Sequence, residues 1–241
     1  MSGACIKALA VLAAMSARRA LVALLGVVLA VAALAAPPRL ARQQQRQTGS
    51  MPAQPAPARQ PDARLGRDKA DAERCFECHG EHGLGAGQME VFAKLAGQRP
   101  DYLILQFEHF LANRRDNESM FMKARTVDAQ DLQDIAAYFA ALPPMRGDAS
   151  ALNARGEQLL NQGDAALGIP ACSACHGPQA QGTGAQPTPV LAGQDAFYLK
   201  RQLWSFRDGS RRETGPALMG PIARQLSDAD ISALVRHLSS L

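Results

Sequence analysis

Repetition constrains this chain more than any other feature. Cys75-Phe-Glu-Cys78-His79 is echoed 97 residues later by Cys172-Ser-Ala-Cys175-His176, and the flanking sequence is echoed with it. "KLAGQRPDYLILQFEHF" (94–110) aligns with "VLAGQDAFYLKRQLWSF" (190–206) at an offset of 96. "MFMKARTVDAQDLQDIAAYFAAL" (120–142) aligns with "MGPIARQLSDADISALVRHLSSL" (219–241) at an offset of 99, so the drift of three falls in the loop before the aligned methionines. Two copies of one domain are the simplest reading, and each copy must then close a core of its own.

The 241 residues suit one or two domains. Residues 1–36 read as a leader outside the fold. From Met15 the chain gives Arg18 and Arg19, an apolar run from Ala20 to Ala36, and the small-x-small triplet Ala33-Leu34-Ala35. Both Met1 and Met15 are candidate starts, and the leader is either a cleaved signal peptide or a membrane anchor. Seventeen apolar residues lie at the short end of a membrane span, and both readings export the rest of the chain. Residues 37–66, rich in Pro, Gln, Ala and Arg, are expected to be a disordered tether. "LPPMRGDASA" (142–151) marks a second break, which sets the domains at 67–143 and 155–241 with a linker at 144–154.

Charge follows the same partition. Residues 68–142 carry 8 Lys and Arg against 13 Asp and Glu, a net −5, and residues 151–241 carry 8 against 7, a net +1. The segment 36–67 carries 6 against 1, a net +5. Basic residues gathered on a tether rather than on a folded face argue against nucleic acid as a partner.

Each copy reads as helical. Leu103, Phe107 and Phe110 recur at helical spacing, as do Leu199, Leu203 and Phe206, and no run alternates like a strand. The last helix of each copy opens on a capping pattern, Asp128-x-x-Asp131 or Ser227-x-x-Asp230. Their apolar stripes are Leu132, Ile135, Phe139 and Leu142 in one, and Ile231, Leu234, Leu238 and Leu241 in the other. Residues 156–168 read as the first helix of the second copy. The matching stretch in the first copy, "GRDKADAERC", is shorter and poorer in apolar groups.

Three chemistries use Cys-x-x-Cys. A zinc ribbon brings its pairs within roughly 15–20 residues, far closer than these, and a thioredoxin-like dithiol needs a βαβ setting that a helical sequence lacks. Covalent haem attachment needs two thiols and an adjacent histidine, which Cys-x-x-Cys-His supplies. Of five cysteines, Cys5 lies in the leader and the other four fill the two motifs, leaving none for a disulfide. Cys75, Cys78, Cys172 and Cys175 are thus the expected attachment points of two haem c groups, with His79 and His176 as iron ligands. Met120 and Met219 coincide in the repeat, each in Met-x-x-x-Ala-Arg, and are the expected sixth ligands. Met122 and Met89 stand as alternatives to Met120, and core filling is the plainer use of any methionine. His82, His109 and His237 have no histidine partner in the other copy. Arg114, Arg115, Arg211 and Arg212 either pair with haem carboxylates or are solvated. The Pro189 carbonyl is placed to orient His176, with Ala93 at the same point in the first copy.

With CxxCHG, LAGQ-x3-Y-L-x2-Q, the methionine element and the C-terminal helix each present twice, the chain resembles the cytochrome c4 family over about residues 66–241. The resemblance implies an all-α fold of two tandem class I cytochrome c domains related by a pseudo-two-fold axis. It also implies a periplasmic carrier, soluble or tethered, passing electrons from a quinol-oxidising cytochrome complex to a haem–copper oxidase. An electron carrier rather than an enzyme is expected. The alternatives are the electron-transfer subunit of a periplasmic dehydrogenase and, from the enzyme class, a di-haem peroxidase or thiosulfate-oxidising enzyme. The thin first helix and the long basic, Pro-rich segment depart from the family pattern.

Overall fold

Helix caps fix where the elements begin. The computed structural model describes residues 59–85, 92–184, 186–212 and 218–241; the leader, most of the tether and Met89 lie outside these. In the first copy, α1 (Ala63–Ala72) starts on Asp62, whose carboxylate accepts from the Arg64 and Leu65 amides. It is followed by the single turn α2 (Phe76–His79), α3 (Pro100–Leu111), α4 (Glu118–Thr126) and α5 (Ala129–Ala141). The second copy runs α6 (Ala154–Asn161), a 3₁₀ turn (Ala165–Leu167), the single turn α7 (Ser173–His176), α8 (Ala196–Asp208), α9 (Met219–Gln225) and α10 (Asp228–Ser240). The described residues contain no strand, and the fold is all-α. Asp128 caps α5, and Ser227 with Asp230 forms a complete capping box on α10, as the spacing predicts.

Two expectations are corrected at the start of each copy. α1 takes in the last four residues of the segment 37–66 read as tether, and its 10 residues exceed the 8 of α6. Its apolar content is low because ion pairs hold it. Lys69 Nζ bonds Asp131 and lies 2.7 Å from an Asp134 oxygen, and Arg59 bonds the same Asp134 carboxylate. In the second copy the helix expected over 156–168 ends at Asn161. Gly163, at φ +70°, turns the chain, and Asp164 and Ile169 bond each other across the 3₁₀ turn.

Within each copy the first helix crosses the last at a glycine. A Cβ on Gly66 would sit 1.9 Å from the Asp134 carbonyl oxygen of α5, and one on Gly156 would sit 2.5 Å from that of Ala233 on α10. One core gathers Ala70, Leu103, Ile135, Ala136, Tyr138 and Phe139, and the other gathers residues such as Leu159, Leu199, Leu203, Ile231, Leu234 and Leu238. Phe107, expected in the stripe of α3, is only half-buried, while Gln106 and His109 are buried. Residues 58–241 form one compact unit.

The connection between copies is packed rather than loose. Met145 is 3% exposed, and the Gly147 and Ala149 amides donate to the Leu241 and Ser240 carbonyls. The connection passes both LAGQ glycines. A Cβ on Gly97 would meet Pro144 Cα at 2.6 Å, and one on Gly193 would meet Arg146 N at 2.5 Å. Both glycines also hold positive φ, so two constraints demand glycine here.

Candidate haem sites

Each Cys-x-x-Cys-His folds into one helical turn. Cys75 and Cys172 occupy the N-cap positions of α2 and α7, and the histidines close the turns, so two thiols three residues apart share a face beside an imidazole. None of the four cysteines is paired in a disulfide. Burial pushes the Cys75 and Cys172 thiols up to about 11, which keeps both protonated. Burial also lowers His79 and His176, favouring the neutral ring.

The ring orientation follows from a single hydrogen bond in each copy. His79 Nδ1 lies 2.8 Å from the Ala93 carbonyl oxygen and His176 Nδ1 lies 3.1 Å from that of Pro189. A carbonyl can only accept, so Nδ1 carries the proton and Nε2 keeps its lone pair. Neutral imidazoles with Nδ1 tied and Nε2 keeping its lone pair, each next to two cysteines outside any disulfide, fit haem c. Among the described residues no three His, Cys, Asp or Glu side chains converge as a protein-only metal site.

The methionines are less alike. Met219 opens α9 and packs, with Cys172, against the second core. Met120 is half-buried at the third position of α4, and its amide bonds Asn117 Oδ1 at 2.9 Å. Met122 is 51% exposed. His82 is exposed, whereas His237 is buried against α6, its Nδ1 facing the Asn153 amide.

Sequence reasoning missed the seam between the copies, which is built from the same repeat positions twice. Gln98 and Gln194, each 3% exposed, reach across it. Gln98 accepts from the Val190 amide at 2.8 Å and donates to the Val190 carbonyl at 3.0 Å. Gln194 accepts from the Lys94 amide at 3.0 Å and donates to the Lys94 carbonyl at 2.9 Å. Further along, Arg115 donates to Tyr198 and Gln202 of the other copy and to Gln106 of its own. Arg211 answers with Tyr102 and Gln106 at 2.9 Å and its own Gln202 at 2.8 Å. Lys94/Val190, Gln98/Gln194, Tyr102/Tyr198, Gln106/Gln202 and Arg115/Arg211 are all related by the repeat offset of 96, so the copies meet about a pseudo-two-fold axis. Identical polar residues in both copies, on helices whose apolar stripes lie elsewhere, were the available signal.

The seam also separates the four arginines. Arg115 and Arg211 face one another in it, Arg211 being 7% exposed, and among the described residues neither has a carboxylate partner. Burial and the Arg115 charge both push the Arg211 pKa down. Two guanidiniums satisfied only by neutral oxygens make a donor set suited to anionic groups such as haem carboxylates. Arg114 is half-buried and Arg212 exposed.

The chain is similar to known proteins over most of its folded length. The family model for cytochrome c matches residues 154–241. Cytochrome c4 of Thiocapsa roseopersicina is 37% identical over 182 residues, covering 75% of this chain and 93% of that protein. A thiosulfate dehydrogenase electron acceptor of Thiomonas intermedia is 35% identical over 174 residues, covering 70% and 79%. The structure of reduced recombinant cytochrome c4 from Pseudomonas stutzeri superposes with a TM-score of 0.68 at 34% identity, covering 75% of this chain and 99% of that one. Duplicated Cys-x-x-Cys-His turns, the seam and these likenesses over most of the folded chain agree: the protein belongs to the cytochrome c4 family of di-haem c-type cytochromes.

Proposed function

We propose that the chain carries electrons in the periplasm through two six-coordinate haems and performs no chemistry on a substrate. One haem is attached at Cys75 and Cys78 with His79 and Met120 on its iron, the other at Cys172 and Cys175 with His176 and Met219. The observation that carries this is the matched tie of both histidines, Nδ1 to a backbone carbonyl at 2.8 and 3.1 Å, which presents Nε2 alike in both copies. Haem c so held supplies a one-electron couple with no open position for substrate. The protein keeps the imidazoles neutral and aimed, and Met120, less exposed than Met122, is favoured as the α4 thioether.

The absorption spectrum of the ferric protein tests this reading. A methionine–iron charge-transfer band accounting for both haems is expected, and high-spin haem in either copy overturns it. Met120→Ala should remove about half of the band and Met122→Ala none; the reverse pattern moves the ligand to Met122.

For partners, we propose a quinol-oxidising cytochrome complex as donor and a haem–copper oxidase as acceptor, with the chain soluble or tethered through its N-terminus. No helix among the described residues is long and apolar enough to cross a membrane. Likeness to proteins described as thiosulfate dehydrogenase electron acceptors favours a second donor, a periplasmic dehydrogenase. Stopped-flow reduction by each donor at matched concentration separates the two, because the physiological donor should be faster by orders of magnitude.

A further inference from the structure

One peptide group links the two copies at each haem site. The peptide joining Pro189 to Val190 carries both the carbonyl that accepts from His176 at 3.1 Å and the amide that donates to Gln98 Oε1 at 2.8 Å. The peptide joining Ala93 to Lys94 repeats this in the first copy. Its carbonyl accepts from His79 at 2.8 Å and its amide donates to Gln194 Oε1 at 3.0 Å. In both cases the glutamine comes from the copy opposite the histidine. Neither glutamine is free to turn. Gln98 Oε1 also receives the Arg99 amide at 3.0 Å and Gln194 Oε1 the Asp195 amide at 2.9 Å, while their Nε2 groups hold the Val190 and Lys94 carbonyls.

A chain of hydrogen bonds polarises its members, by about 10–30% per bond in condensed phases. A peptide whose N–H is engaged therefore has a carbonyl that accepts more strongly. The stronger acceptor pulls on the Nδ1 proton and makes Nε2 more basic, as acceptors behind metal-bound histidines do. A more basic ligand stabilises ferric over ferrous iron, so hydrogen bonding of this kind shifts the reduction potential.

We infer that Gln98 and Gln194 are crossed positioning residues, each setting through one peptide group the orientation and basicity of the histidine in the opposite copy. The inference rests on the proposal that His79 and His176 bind iron through Nε2. If it holds, each haem is tuned from across the seam. Glutamines that merely glue the copies together would, when removed, disturb both haems alike.

The test uses the full-length holoprotein, comparing the parent with Gln98→Leu, Gln194→Leu and Gln98→Glu. Redox titration is combined with NMR of the two histidine rings. Hyperfine-shifted ring signals from both residues in the ferric protein establish ligation, and their absence ends the ligation reading whatever the glutamines do. Gln98→Leu is expected to raise the potential of the haem bound to His176. The ferric-to-ferrous ratio at fixed poise falls by about two- to tenfold, tenfold being 59 mV for one electron. The Nδ1–H of His176 should exchange faster, and the haem bound to His79 should move by less than half as much. Gln194→Leu should give the mirror image. Gln98→Glu keeps the accepting oxygen and adds charge, so it should shift the His176 haem the other way, and it serves alone if the leucine variant does not accumulate. Equal shifts in both haems, a larger shift in the glutamine's own copy, or no shift overturns the inference.

Discussion

Replacing Asp134 with alanine should detach α1 from α5 while leaving the second copy intact. The Asp134 side chain is fully buried and accepts from the Asp62 amide at 2.8 Å, from Lys69 Nζ at 2.7 Å and from Arg59. Removing one partner of a buried ion pair costs about 3–5 kcal/mol. Here Lys69 keeps Asp131, and Arg59, with 43% of its side chain exposed, can turn to water. The loss therefore falls to about 2–3 kcal/mol, most of it the strain of an unpaired Asp62 amide and a half-paired Lys69. At 1.4 kcal/mol per tenfold, amides of residues 63–72 should exchange with solvent about 30- to 150-fold faster, read by hydrogen-exchange mass spectrometry. The α6 amides should not change, since Ala233 stands where Asp134 does in the other copy. Acid provides a second arm. Burial would raise the Asp134 pKa, but the bonds from Arg59, Lys69 and the Asp62 amide outweigh it and hold the carboxyl well below the usual range. A depressed folded pKa means stabilisation that is complete above the unfolded value of about 3.9 and lost as pH falls below it. The gap between parent and variant should therefore narrow below about pH 4. Exchange of α1 within threefold of the parent at neutral pH would refute the ion-pair account of this helix.

Two further outcomes can be checked directly. Gly156→Ala forces a Cβ to 2.5 Å from a backbone oxygen of α10, so the crossing must open, at about 1–3 kcal/mol or more. The denaturant midpoint of the holoprotein should fall, and an unchanged midpoint would mean that the helices slide freely. Arg211→Gln removes the buried member of two facing charges that favour ferrous iron, and both haem potentials should drop. A shift confined to one haem in the redox titration would show that the guanidiniums act separately.

Much of this architecture is legible in the sequence because local rules and the repeat agree. Asp128 and Ser227 cap their helices, Leu199 and Ile231 fall in the core, and the carbonyls of Ala93 and Pro189 orient the histidines. What escaped reading is polar and buried. α1 shows a weak apolar pattern since Lys69, with Arg59 and Asp62 just before the helix, holds it to Asp131 and Asp134, more than sixty residues away. Gln98, Gln106, Gln194 and Arg211 look like solvent-facing residues to any rule that counts apolar periodicity, because their burial depends on a second copy arriving to satisfy them. The end of α6 at Asn161 was missed for another reason. Helical propensity continues through Ala165 and Ala166, but Gly163 closes against the Ile169 carbonyl, a contact that only the folded chain creates.

The doubled seam has a consequence for how the two redox sites are permitted to differ. A face that pairs with its own copy is what identical subunits use to make a dimer, and such a dimer has equal sites and falls apart on dilution. Joining the subunits through the packed connection at Met145 removes the dependence on concentration. It also lifts the rule that both subunits share every residue. Symmetry is kept where Gln98 meets Val190 and Gln194 meets Lys94. Elsewhere it has lapsed, with Asp134 against Ala233, Ala93 against Pro189, and a net −5 against +1. Equal sites would give an electron no reason to prefer one end of the molecule, whereas unequal ones can give it a direction.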